Sequence, residues 1–220
     1  MAQREKKDAK FWDKMAEGYS KSPISDVDTY QKKLDITREY FASKSTTSVF
    51  EFGCGTGSTA LLHAPHVKHV YATDLSPKMI EIARRKAAEQ GIGNVDFEVA
   101  GVGGIDAGNA NHRDNYDVVL GLNVLHLVPD RDEVISKVHA MLKPGGVFVS
   151  STACAADMGV VVGTALKWFA PLATRLGLMP QFHSFTAAEL KGDMTRAGFT
   201  IEREFQPSRD KALFLVAQKK

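Results

Sequence analysis

The sequence predicts an α/β fold: a doubly wound, mostly parallel seven-stranded sheet with helices on both faces and an antiparallel strand pair at its C-terminal end. Three observations carry this. Short runs rich in β-branched and aromatic residues alternate with amphipathic helical patterns. A glycine-rich turn, EFGCGTGSTA at 51–60, follows the first of those runs. The last two runs stand back to back across a short polar turn, with no helical pattern between them.

Taken in order, SVFEF (48–52) reads as the first strand, and the turn after it leads into a helix at STALLHA. HVYAT (69–73) is the second strand. SPKMIEIARRKAAEQG (76–91) is a helix with Ser76 as N-cap, Pro77 at the first helical position and Gly91 at its end. VDFEVA (95–100) is the third strand, DAGNANHRDN (106–115) an exposed polar loop, and YDVVLGLN (116–123) the fourth strand. RDEVISKVHAML (131–142) places Val134, Ile135, Val138, Met141 and Leu142 on one helical face and stops at KPGG. GVFVSST (146–152) is the fifth strand, and FTIEREFQ (199–206) and ALFLVAQ (212–218) form the closing pair. At 220 residues, without internal repeat, low-complexity tract or long linker, one domain is expected.

Composition narrows the classes of function. Hydrophobic residues at 44% and charged residues at 25% are ordinary for a globular chain. A formal charge of +2 and a pI near 8.4 are too mild to point to nucleic acid. The basic start, REKKDAK, is followed by FWDKMAEGYS and no apolar h-region, so a secretory leader is not expected. The two cysteines, Cys54 and Cys154, fit a cytoplasmic protein with reduced thiols. The most apolar long stretch, 159–179, is broken by Lys167, Pro171 and Arg175, which argues against an integral membrane segment. HAPHVKH (63–69) spaces its histidines by three, but Pro65 breaks the helix that would converge them, so no metal is expected.

The glycines admit two readings. From Gly55, GTGSTA fits the G-x-G-x-x-A form of the dinucleotide fingerprint, with Asp74 at a suitable distance. From Gly53, the pattern is E-x-G-x-G-x-G with Glu51 two residues ahead. A tight turn that uses glycine only for positive φ is the bland alternative, set against a turn at the first βα crossover, where open α/β sheets bind ligands.

VFEFGCGTGSTA, VYATDLSPKMIEIAR, NYDVVLGLNVLHLVPD and MLKPGGVFVSST, in that order and spacing, resemble the class I (Rossmann-like) S-adenosylmethionine-dependent methyltransferases of small-molecule type. The resemblance covers roughly 48–152. FWDKMAEGYS is similar to the family's N-terminal cap helix, and FTAAELKGDMTRAGF to its last helix before the closing hairpin. It implies cap helices over 1–44, a cofactor-binding core over 45–154, and a last helix with strand pair over 186–220. The intervening 155–185 reads as an inserted helical lid with Val160, Val161, Ala165, Leu166, Trp168, Phe169 and Leu172 on an apolar face, with a homodimer contact or a membrane-surface helix as its other readings.

The resemblance also implies a site. Gly53, Gly55 and Gly57 let the chain pass close to the amino-acid and ribose portions of S-adenosylmethionine. Asp74, at a strand end open to the cleft, accepts from both ribose hydroxyls. Leu75 and Met79 pack near the adenine, and Glu51 orders the loop or the amino-acid end. The family's acidic adenine contact is replaced here by Val102, so backbone at Gly101 to Gly103 takes that part. Asn123 approaches the methionine portion, and Tyr19 lays an aromatic face over the sulfonium. His126 faces the acceptor as a candidate general base, against a structural role. No [DNS]-P-P-[YFW] segment occurs, which argues against amine methylation on DNA bases, and no carboxylate ends VVLGLN, which argues against the metal-assisted catechol type. The expected function is in-line methyl transfer to a small, partly apolar acceptor. An NAD(P)-dependent oxidoreductase, which lacks a Ser-Tyr-x-x-x-Lys set here, and a non-catalytic S-adenosylmethionine-binding subunit are the alternatives.

Overall fold

A computed structural model describes residues 2–102, 115–157, 174, 179–208 and 210–220. Two helices, α1 (Ala2–Lys21) and α2 (Val27–Arg38), precede the sheet. The core then runs β1 (Ser48–Phe52), α3 (Ser58–His63), β2 (His69–Asp74), α4 (Pro77–Glu89), β3 (Val95–Val99), β4 (Tyr116–Leu122), α5 (Arg131–Met141) and β5 (Leu142–Thr152). It closes with α6 (Ala187–Arg196), β6 (Phe199–Phe205) and β7 (Leu213–Lys219). The strand order is β3-β2-β1-β4-β5-β7-β6, with only β7 running against its neighbours, which is the α/β architecture expected.

Period-two alternation splits the core across the sheet. Phe50 and Phe52 of β1 point to one face, where they join Phe148, Val119 and the apolar sides of α5 and α6. Val49 points to the other, with Val70, Val118 and the α4 residues Ile80, Ala83 and Ala87. Helix α4 starts as anticipated: the Ser76 hydroxyl accepts from Met79 N at 3.1 Å, with Pro77 just inside. Thr186 and Glu189 form a reciprocal capping box on α6.

One local reading is corrected. The KPGG stop does not separate α5 from β5 by a loop: β5 begins at Leu142, and its pairing jumps from Tyr116↔Leu142 to Val118↔Val147. Gly145, at φ 79, carries the bulge that takes up the extra residues. The histidines of 63–69 part company: His63 lies in the core edge-on to Phe41, and His69 bonds Asp96 at 3.0 Å. The polar loop expected over 106–115 lies outside the described residues except for Asn115, and so does most of the 155–185 lid, including all seven residues of its apolar face. Among the described residues no helix is long and apolar enough to cross a membrane. Both cysteines are buried and free.

Candidate functional site

The sheet order reverses between β1 and β4, and ligands of open α/β sheets bind beyond the carboxyl ends of the strands at such a point. Here the glycine turn follows β1, Asp74 ends β2, and Asn123 follows β4. Gly53, Gly55 and Gly57 all take positive φ, at 64°, 55° and 72°, but they serve different neighbours. A Cβ on Gly53 would meet Val124 Cγ2 at 2.7 Å, and one on Gly57 would meet Ala83 Cβ and the Phe97 ring at 2.8 Å. On Gly55 the nearest atom is Tyr19 Cε1 at 3.7 Å. Close backbone approach at 53 and 57 is therefore to the protein's own core, and Gly55 alone of the three has room for a Cβ, beside the Tyr19 ring.

A cavity of about 480 Å³ opens over this turn, lined among others by Tyr19, Glu51, Gly53, Gly55 and Asn123. Glu51 is 2% exposed, and its Oε2 has no hydrogen-bond partner among the described residues. Burial, aided by Asp74, pushes its carboxyl up to about 8. Asp74 is also buried, at 7% exposure, which corrects the open strand end anticipated. Its Oδ2 accepts from Gly55 N at 2.9 Å and its Oδ1 from Ser76 N at 2.8 Å. Burial raises its pKa while these two amides pull it down. Each oxygen keeps a lone pair for a further donor.

Glu51 carries a pH signature in the ligand-free protein. The unfolded chain releases this proton near 4.5, and the folded chain holds it to about 8. The unfolded state therefore binds fewer protons between those values, and stability falls as pH rises through them. The melting temperature of the free protein is expected to decline across this window, and Glu51→Gln is expected to flatten the decline. An unchanged slope in Glu51→Gln would place the responsible group elsewhere.

A second, more apolar cavity of about 100 Å³ lies beside the first, lined by Leu75, Gly101, Val102, Val124, Val128 and Trp12 among others. Asp74 itself lines neither cavity, but it is bonded to Gly55, which borders the larger, and precedes Leu75, which borders the smaller. Gly103 lies outside the described residues. Met79 borders neither cavity: it is 2% exposed in a cluster with Trp12, Ala16 and Ile82, where α1 packs on α4. The expected contact of Met79 with a ligand base is replaced by helix–helix packing. The same α1 is tied down by Asp13, whose Oδ1 accepts from Ser76 Oγ at 2.6 Å and Lys78 N at 3.1 Å. That tie brings Tyr19, 53% exposed, over the glycine turn.

Asn123 is the one non-glycine residue with positive φ among the described residues, at 56°, and its N–H donates to Ser151 O at 2.6 Å. Helix α2 adds Tyr30, Lys33 and Thr37 to the larger cavity from one helical stripe. Tyr30 Oη bonds Thr59 Oγ1 at 2.9 Å, and Lys33 Nζ donates to Ser151 Oγ at 3.0 Å. Lys33, Thr59 and Ser151 were not singled out from sequence. The i, i+3, i+7 spacing of Tyr30, Lys33 and Thr37 was the available signal.

His126 stands apart from both cavities as the described residues define them. Its ring lies 5.1 Å from that of Phe182, and its carbonyl accepts from His183 N at 2.8 Å. Its Nδ1 is buried without a partner among the described residues, and burial lowers its pKa to about 4.

The donor set fits a ligand with a cationic amine, a diol and a flat apolar base: an orphaned acid at Glu51, two spare acceptors at Asp74, and a narrow apolar slot beyond Leu75. Residues 50–148 match the family described as a methyltransferase domain. A ubiquinone biosynthesis O-methyltransferase of Xylella fastidiosa is 30% identical over 179 residues, which are 77% of this chain and 69% of that protein. A highly reducing polyketide synthase of Gibberella zeae is 30% identical over 164 residues, 70% of this chain but only 6% of that much longer protein. Among solved structures, a geranyl diphosphate C-methyltransferase from Streptomyces coelicolor, in complex with Mg2+, geranyl diphosphate and S-adenosyl-L-homocysteine, superposes with a TM-score of 0.67 at 13% identity. The match covers 86% of this chain and 78% of that one, and at that identity the likeness is one of fold.

Proposed function

The chain belongs to the class I S-adenosylmethionine-dependent methyltransferases, and we propose that it methylates a small, partly apolar acceptor held in the larger cavity. S-adenosylmethionine is its cofactor and supplies an activated methyl group on a sulfonium. The observation that carries the site assignment is the Asp74 carboxylate, fixed by Gly55 N and Ser76 N between a residue of each cavity, Gly55 and Leu75. In this reading Asp74 takes the ribose diol. Glu51 takes the amino-acid end, with Gly53, Gly55 and Asn123 shaping the space around it. Gly57 acts indirectly, holding the turn against Ala83 and Phe97. Leu75, Gly101 and Val102 enclose the adenine, and Met79 contributes by seating α1.

Little covalent chemistry falls to the protein. Its side chains hold the acceptor atom in line with the methyl group and exclude water, which is proximity and orientation. Tyr19, over the turn, shields the cationic centre with an aromatic face. Residues 1–44 act as a cap in this scheme.

His126 is kept as the candidate proton acceptor for a hydroxyl, thiol or protonated amine on its place three residues after Asn123, which lines the larger cavity, although its own ring borders neither cavity among the described residues. With its pKa lowered to about 4 it is neutral through the physiological range, so it is ready to accept a proton but only weakly basic. Its contribution is accordingly placed at the low end for such groups, about 10²-fold. Turnover is expected to rise with pH through about 4 and to lie flat above it. His126→Ala is expected to lose that limb while binding S-adenosylhomocysteine normally. If cofactor affinity and melting temperature collapse together, His126 is a packing residue against Phe182.

A thermal-shift panel tests the cofactor reading, because a ligand that binds the native state raises its melting temperature by mass action. S-adenosylmethionine and S-adenosylhomocysteine are expected to stabilise the protein, and NADH and NADPH to leave it unchanged. The reverse pattern would refute the reading.

A further inference from the structure

We propose that the acceptor is an organic anion and that Lys33 is the side chain that binds its acidic oxygen, an assignment that rests on the larger cavity's being the acceptor site. Four lysines among the described residues meet a carboxylate: Lys78 with Glu81, Lys137 with Glu133, Lys143 with Asp117, Lys191 with Glu204. Lys33 does not. It is half-buried on the cavity side of α2, and its hydrogen-bond partner is the neutral hydroxyl of Ser151. Asp26, whose charge reaches it, has Oδ1 occupied by Thr29 N at 3.1 Å. The Phe214 ring, with its centroid 5.9 Å from Nζ, helps hold the ammonium in place.

The position is specific. Ser151 presents its hydroxyl to Lys33 while its carbonyl accepts from Asn123 N, so one residue at the end of β5 sets the ammonium beside the turn that follows β4. That is where the sheet order reverses. An ammonium has three donors, and Ser151 uses one, which leaves two for a ligand oxygen. Glu51, the acid lining the same cavity, is no rival for the anion. Burial keeps it protonated in the free protein near neutrality, and a bound cationic amine would neutralise it otherwise. Burial also lowers the Lys33 pKa, so an arriving anion restores what desolvation costs that charge. Lys211 adds a second cation at the exposed rim of the cavity. A carboxylate or a phenolate, on a body apolar enough for Phe214 and Ile24, matches this lining.

Ligand-observed NMR with 2-naphthoate and its neutral isostere 2-naphthamide, with and without S-adenosylhomocysteine, tests the assignment. The wild-type protein is expected to bind the carboxylate about tenfold more tightly than the amide, a difference of about 1.4 kcal/mol. Lys33→Met keeps the stem and removes the charge, and is expected to bring the two probes within about twofold of each other. Lys33→Arg is expected to keep the preference, and both variants to bind S-adenosylhomocysteine as wild type does. Equal binding of the two probes to wild type, no binding of either, or a preference that survives Lys33→Met overturns the proposal. Failure of wild type to bind S-adenosylhomocysteine would instead overturn the cofactor reading, with the comparison of probes still decided in the cofactor-free protein.

Discussion

Asp74→Ala is expected to weaken S-adenosylhomocysteine binding by about 1.5–3 kcal/mol, the range for hydrogen bonds to a charged group. That is roughly ten- to 150-fold in dissociation constant. The loss has two sources. The carboxylate's own bonds to the ligand go, and so does the anchor that holds Gly55 N and Ser76 N in place. Because those two amides lose their acceptor, the melting temperature is expected to fall as well, and by more than an exposed strand-end acid would cause. Calorimetry on the folded variant separates the two effects. An affinity within twofold of wild type would remove Asp74 from the site.

Gly57→Ala is expected to damage the fold rather than the binding surface. A non-glycine residue in the left-handed region costs about 1–2 kcal/mol. The added methyl also meets Ala83 Cβ and the Phe97 ring at 2.8 Å, and overpacking of that kind adds about 1–3 kcal/mol. Together these come to about 2–5 kcal/mol, or roughly 4–20 °C in melting temperature for a domain of this size. Gly55→Ala is the control. Its Cβ meets only Tyr19 Cε1, at 3.7 Å, so stability should fall by the backbone term alone while cofactor affinity drops. Equal melting temperatures for the two variants would mean that the turn relaxes around position 57, and that its glycine is there for the ligand.

The order of elements was legible because each local signal agreed with the sheet it served. Val49 and Phe50 alternate between the two core faces as a period of two demands, and Ser76-Pro77 starts α4 where its cap chemistry says it should. KPGG misled because turn residues do not reveal whether they close a loop or make a bulge inside a ladder. Met79 misled for a different reason. Counted along α4 it lies one turn from Ile82, on a stripe separate from Ile80, Ala83 and Ala87. A helix with two apolar stripes needs a partner on each, and the second partner is α1. The charged members of the site were the hardest to see. A lysine in α2 reads as a solvated surface residue until the fold brings Ser151, 118 positions later, against it. Burial of Asp74 was hidden in the same way, since only the tertiary path of the glycine turn shows that Gly55 N points at its carboxylate.

Hydrogen–deuterium exchange with and without S-adenosylhomocysteine tests the central claim most directly, because it maps where the cofactor sits. Protection is expected in the peptides that carry Gly53–Gly57, Asp74–Ser76 and Gly101–Val102, the three segments that meet around Asp74. The amino ends of the strands on the opposite side of the sheet, such as the bulge at Lys143–Gly145, should exchange as before. Binding without protection at Gly55 and Asp74, or protection confined to another face of the molecule, would contradict the site described.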